Sequence, residues 1–264
     1  MIVKCDVSWK ESIINYVGNN YPECLYLYLD FIKYGFEVNY VNTWVLLNDK
    51  KIDGIILKYH TGMHVYTAND NFEASEVCEL INELTPDMIC SRKDVIEKLS
   101  SVLNMTLYET EFGHIGKCSK VIGCNNINVA NAEKTDFRQI AELLYQDEGI
   151  GASYELDELS NQMQERNKQG FVRNYVIKDS NKVICHVCTG AELGKISMIS
   201  GVVTDIMARG KGHATNLLAY TCKELLEEGK EVYSVYYTDQ ATKLHHRVGF
   251  VDYCEFGKLF VNKR

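Results

Sequence analysis

The chain lacks several features that would commit it to particular partners. It has no block of like charge: 28 basic side chains stand against 36 acidic ones, a net charge of −8, and no stretch is arranged to track a phosphate backbone. Nucleic acid is therefore a poor candidate partner. It has no long apolar run, since the longest, Cys24 to Ile32, is short and interrupted by Asp30. The opening residues M-I-V-K-C-D-V-S-W-K lack the apolar core of a signal peptide. No membrane contact and a cytoplasmic location are the resulting expectations. Nor do the ten cysteines, at 5, 24, 78, 90, 118, 124, 185, 188, 222 and 254, show the paired spacing of a disulfide framework. They read as reduced, mostly buried thiols. Cys185 and Cys188 form a C-x-x-C around His186, but residues three apart on a strand point to opposite faces, so no metal site is expected.

What is present is ordinary globular material in more than one domain's quantity. At 264 residues the chain exceeds the usual single-domain size, and 46% apolar side chains are enough for real cores, so two domains and no disorder are expected. From Ala214 to Leu226, apolar or small residues recur with helical spacing, and Gly229 follows as a stop. Before this helix, Tyr175 to Lys178, Val183 to Cys188 and Ile196 to Thr204 read as strands of an antiparallel meander, joined by D-S-N-K and E-L-G-K turns. After it come a strand at Glu231 to Tyr237, a short helix capped by Asp239 and stopped by Gly249, and a last strand at Tyr253 to Val261. Helices at Asp136 to Gln146 and Glu155 to Lys168 precede the meander.

A comparable order appears upstream. Helices are expected near 9–17 and 22–34, strands near 40–47, 52–60 and 62–67, and a helix from Phe72 to Leu84. A strand at Met88 to Cys90, a helix from Ser91 to Leu103 and a strand at Thr106 to Phe112 follow. The topology repeats without repeated sequence. With a linker in Lys117 to Asn128, the expected domains are 1–122 and 126–264, of α/β (α+β) class, each a mixed, mostly antiparallel sheet flanked by helices.

The chemistry concentrates in A-R-G-K-G-H-A-T, Ala208 to Thr215, between a strand and a helix. Gly210 and Gly212 let the backbone turn tightly, and the unpaired amides of the helix's first turn, with its dipole, form a cradle for an anion. Arg209 and Lys211 add full charges. The spacing is not that of a P-loop, and Thr215 stands where the dinucleotide fingerprint has its third glycine. A dinucleotide enzyme is thus the weaker alternative.

Ile199 to Leu218, I-S-G-V-V-T-D-I-M-A-R-G-K-G-H-A-T-N-L-L, resembles the acetyl-CoA-binding core of the GNAT N-acetyltransferases, whose loop follows R/Q-x-x-G-x-G/A. Arg209, Gly212 and Ala214 occupy its marked positions, and Ala241 to Phe250 is similar to the family's A-x-x-L-Y-x-x-x-G-F. The resemblance covers about half the chain and implies an acetyl-CoA site. The pyrophosphate would lie on Arg209, Gly210, Lys211, Gly212, His213, Ala214 and Thr215, and the pantetheine along the main chain of Val202, Val203 and Thr204. The N-terminal half resembles the family in topology only. At the loop position it carries T-A-N-D-N-F-E-A, Thr67 to Ala74, where Asp70 and Glu73 would repel phosphate. It is expected to be a degenerate copy.

The resemblance further implies acetyl transfer to a primary amine of a small molecule or peptide by direct attack on the thioester, with a second copy of the chain as a further candidate partner. The family's thiolate-protonating tyrosine is replaced by His245, with Tyr236 and Tyr237 as substitutes; Asp205 and Glu192 are candidate bases. The acidic loop Asp147 to Tyr154 corresponds to the acceptor-binding region. The competing reading is a non-catalytic acyl-CoA-binding sensor or assembly module.

Overall fold

The computed structural model describes residues 1–69, 71–123, 128–147 and 156–262. The chain divides into two compact units, one of Met1–Ile115 with Tyr253–Arg264, the other of Gly116–Asp252.

In the first unit the strands are β1 (Ile2–Lys4), β2 (Val41–Asn48), β3 (Lys51–Tyr59), β4 (Gly62–Tyr66), β5 (Met88–Arg92) and the start of β6 (Tyr108–Cys118). The chain's last strand, β12 (Phe250–Val261), enters between β5 and β6, giving the order β1-β2-β3-β4-β5-β12-β6. From β1 through β5 to β12 the registers are antiparallel except β4 with β5, which pair in parallel from Gly62↔Met88 to His64↔Cys90. Strand alternation gives each face its own core. Val45, Ile55 and Leu57 pack with Ile13 and Val17 of α1 (Lys10–Val17) and Leu27 and Phe31 of α2 (Leu25–Tyr34). Their neighbours Leu46 and Ile56 turn the other way, onto Val77 and Ile81 of α3 (Ala74–Leu84) and Ile96 and Leu99 of α4 (Lys93–Ser100).

In the second unit, β7 (Ala130–Asn131), β8 (Asn174–Asp179), β9 (Lys182–Leu193) and β10 (Ile196–Thr204) form the antiparallel meander, and β10 pairs in parallel with β11 (Glu231–Tyr236). One face carries α5 (Asp136–Tyr145) and α6 (Leu156–Lys168), through Phe137, Ile140 and Leu159 on Val176, Val183 and Val203. The other carries α7 (His213–Glu227) and α8 (Asp239–Val248), through Leu217, Cys222, Leu225 and Val248 on Val187, Ile199 and Val232.

Several expectations need correction. The last strand begins at Phe250, and from Tyr253 onward it belongs to the first unit, where Phe256 to Phe260 pair with Arg92 to Met88. Periodicity announces a strand but not its partner. The second unit therefore runs from Gly116 to Asp252 rather than over 126–264. Ser91 is the fourth residue of β5 and not a helix start. Helix α8 is capped by Thr238, whose hydroxyl accepts from the Ala241 amide, and not by Asp239. Strands β1 and β7 are too short to leave a periodic signal.

Candidate functional site

The site begins where two parallel strands part. Strands β10 and β11 pair from Ile196↔Glu231 to Ile199↔Ser234, and the register stops there although β10 runs on to Thr204 and β11 to Tyr236. On its other edge β10 is bulged: Ser200 faces Cys188 and Val203 faces His186, so Gly201 and Val202 oppose Val187 alone. Gly201 holds φ at +59°, and a side chain there would meet Cys188 Sγ at 3.0 Å and His186 Cε1 at 3.1 Å. Both demands require glycine. His186, fully buried on β9, fixes the bulge: its Nδ1 lies 2.8 Å from the Gly201 carbonyl oxygen and its Nε2 lies 3.0 Å from Asn174 Oδ1. Burial lowers its pKa to about 4. Val202 is thereby left outside the ladder on both edges. Gly201→Ala is expected to cost about 2 kcal/mol, or roughly 4–8 °C in Tm by thermal unfolding, because the strain and the two close contacts act together.

Past the strand, the Asp205 side chain caps a 3-10 turn, Ile206–Ala208, and the chain enters the loop. Gly210 and Gly212 take φ of +79° and +80°, which bends the backbone into α7. Space beside them is open: a side chain on Gly210 would meet nothing within 4 Å, and one on Gly212 only Asn216 Nδ2 at 3.7 Å. The helical ladder starts with Asn216 N donating to Gly212 O, and Gly212 brings no side chain to cap the amides before it. The amides of His213, Ala214 and Thr215 therefore stand at a positive helix end without a carboxylate in the first turn. Arg209 folds back, its Nε donating to Thr204 O (3.2 Å). The first unit treats the matching helix in the opposite way. Glu73 accepts from Ser75 N (3.3 Å) at the start of α3, and Glu76 pairs with the Met1 ammonium (2.6 Å), so its own carboxylates meet that positive end. Asp70 lies outside the described residues, as do residues 148–155 of the acidic loop.

The catalytic candidates fare differently from the loop. Asp205 is ion-paired with Lys182 (2.5 Å) and accepts from Met207 N (2.9 Å); Lys182 above all holds its carboxyl below the ordinary range. A carboxylate so stabilised is a poor base, and its task is to cap the turn. Burial works against the ionised form of Glu192, but Arg173, gripping it bidentately at 2.7 Å, with Thr189 and Lys230, outweighs this and lowers its pKa. His245 is buried rather than presented to the opening's mouth, and burial lowers its pKa to about 4, so it is neutral at pH 7 and not a ready acid. Tyr237 is half-buried just past β11. Cys185 and Cys188 are reduced and bond Thr204 Oγ1 (3.3 Å) and Ser200 (3.4 Å to its carbonyl).

Three positions carry the geometry without having been singled out. Gly201 had a signal, since a glycine inside a strand pattern marks a bulge or close approach. Ser234 and Asp252, which accepts from Tyr236 Oη (2.5 Å), had none, because they depend on contacts distant in sequence.

A sheet that opens between parallel strands, beside a bulge and an uncapped helix start, has the geometry to receive an extended, anion-bearing ligand. Residues 134–250, a little under half of the chain, match the Acetyltransferase (GNAT) family. No curated protein matches the sequence. Among solved structures, the chain is similar over its whole length to an acetyltransferase of the GNAT family from Colwellia psychrerythraea, at 10% identity and TM-score 0.62, covering 100% of both chains. A tandem GNAT protein from the clavulanic acid biosynthesis pathway is similar at 10% identity and TM-score 0.61, over 98% of this chain and 97% of that one. A GCN5-related N-acetyltransferase-like protein from Streptococcus suis gives 12% identity and TM-score 0.61, over 97% and 99%. Both halves thus have the GNAT fold.

Proposed function

We propose that the second unit binds acetyl-CoA and transfers the acetyl group to a primary amine of a small molecule or peptide by direct attack on the thioester. The observation that carries this reading is the pairing of an uncapped helix start at Gly212–Thr215 with a strand opening beyond Ile199↔Ser234. The diphosphate would rest on the amides of His213 to Thr215, with Arg209 and Lys211 nearby, and the pantetheine along Val202 to Thr204. Acetyl-CoA supplies the activated acyl group. The Val202 amide, outside the ladder, is placed to donate to a developing oxyanion, and Tyr237 is the proton donor for the thiolate. The first unit, with Glu73 and Glu76 at its helix start, serves as a degenerate copy that binds no coenzyme.

A second reading, a non-catalytic acyl-CoA-binding module, is favoured by one observation: the position of the family's tyrosine holds a buried His245 whose ring nitrogens are both engaged. Acetyl-CoA with a panel of amines, followed by free-thiol release, separates the two. Amine-dependent release is expected; coenzyme binding without turnover on any amine would favour the module. Tyr237→Phe is expected to lower turnover by a factor on the order of 100 with coenzyme affinity preserved, and unchanged turnover would remove Tyr237 from the site.

A further inference from the structure

We propose that Ser234 and His245 act as nucleophile and base, giving the chain a second activity: cleavage of an acyl thioester without an amine, through an acyl ester on Ser234. This rests on the coenzyme reading above.

Ser234 ends the paired stretch of β11, at the last rung before β10 and β11 part. Its Oγ lies 2.9 Å from His245 Nε2, and His245 Nδ1 lies 2.8 Å from the Ala241 carbonyl one turn earlier in α8. A carbonyl only accepts, so Nδ1 carries the ring proton and Nε2 presents its lone pair. The serine hydrogen then points at Nε2 in preference to the Ile199 carbonyl, which is 3.4 Å away. Nucleophile, base and orienting acceptor stand in line, as activation of a hydroxyl requires.

The ring is also fixed sideways. It stacks on Tyr236 at 4.5 Å between centroids and meets the edge of Phe250 at 5.0 Å. Tyr236 is itself held by Asp252, which takes a second bond from His246 Nε2 (2.7 Å), and its ring lies over Gly116, where any side chain would overlap its hydroxyl. Ser234 and His245 are buried, at 2% and 3% exposure, beside the point where β10 and β11 part.

In the first step Ser234 Oγ bonds to the acyl carbon while Nε2 takes its proton. The carbon–sulfur bond breaks, and the thiolate leaves with that proton as the thiol. Water then gives a proton to Nε2 and adds to the ester; the carbon–Oγ bond breaks, Oγ recovers the proton, and the carboxylic acid leaves. The net change is thioester plus water to acid plus thiol.

The test incubates the full chain with acetyl-CoA and no amine. Thiol release, intact mass and peptide mapping are followed, with calorimetry of coenzyme A binding alongside. Expected are an acetyl group on Ser234, or thiol release that falls on the order of a hundredfold in Ser234→Ala and in His245→Gln. Mapping of the unaltered chain keeps the test valid if either variant folds poorly. Coenzyme binding with Ser234 unmodified and thiol release unchanged in Ser234→Ala overturns the proposal alone. No coenzyme binding at all overturns the coenzyme reading, and the proposal with it.

Discussion

Replacing Gly212 with valine is expected to weaken coenzyme A binding by about a hundredfold while leaving the second unit folded. Gly212 sits at φ +80°, a conformation that a β-branched residue avoids, so the peptide will rotate to relieve the strain. That rotation turns away the amides at the start of α7. A hydrogen bond to a charged group contributes roughly 1.5–3 kcal/mol, and each 1.4 kcal/mol is about a factor of ten in Kd. Losing one or two amide contacts therefore accounts for the expected loss. The fold should survive because the new side chain would meet only Asn216 Nδ2, at 3.7 Å. Gly229, at the other end of the same helix, provides the control: its φ is +77° and it has nothing within 4 Å. Gly229→Val imposes the same backbone strain away from the proposed diphosphate site. Calorimetric titration with coenzyme A should separate the two variants, and equal losses would mean that the loop assignment is wrong.

The second large effect is acid unfolding that begins well above the carboxylate range. His64, His186 and His245 are buried, and burial lowers each pKa to about 4, against an ordinary value of 6.5. His64 is the least supported, since its Nδ1 has no hydrogen-bond partner. A histidine with a lowered folded pKa contributes stability that is fully present above pH 6.5 and is lost as pH falls towards 4, because the unfolded chain takes up the proton first. A shift of this size amounts to about 3 kcal/mol per histidine, so the two in one unit reach the lower end of an ordinary domain's stability, about 5–15 kcal/mol. Asp205, Glu192 and Glu228, whose pKa values are lowered by their basic partners, add losses only once pH reaches their unfolded range near 4. Urea unfolding at pH 7, 6 and 5 should thus show stability falling across a window where only histidines titrate. Two of these histidines lie in the second unit and one in the first. His64→Leu should flatten the pH dependence of the first unit's transition only; flat stability from pH 7 to 5 in the unaltered chain would refute the account.

The elements differ in how far they could be read from the chain. Helix α7 and the ends of α8 and β10 were legible because a long apolar stripe, or a turn closed by glycine, leaves a local signature. The backbone course of the loop from Arg209 to Thr215 was legible for the same reason: two glycines one residue apart before a helix dictate backbone direction without outside help. His245 was legible as a residue type at a motif position, but its state was not. Whether a histidine is a surface acid or a buried neutral base depends on Ser234, Tyr236 and Phe250, brought to it by other elements. The surroundings of Asp205 were hidden similarly, since only the fold brings Lys182 to it across 23 positions.

The order of strands and helices, the glycine-bearing turn before α7 and the shortage of charge blocks were written in the sequence itself, because each depends on neighbours within a few residues. The tertiary structure alone decided that β12 completes the first unit's sheet, that β10 and β11 part after Ile199 and Ser234, and that three histidines are stripped of water. Those outcomes depend on which distant segments meet, and local periodicity carries no record of that choice.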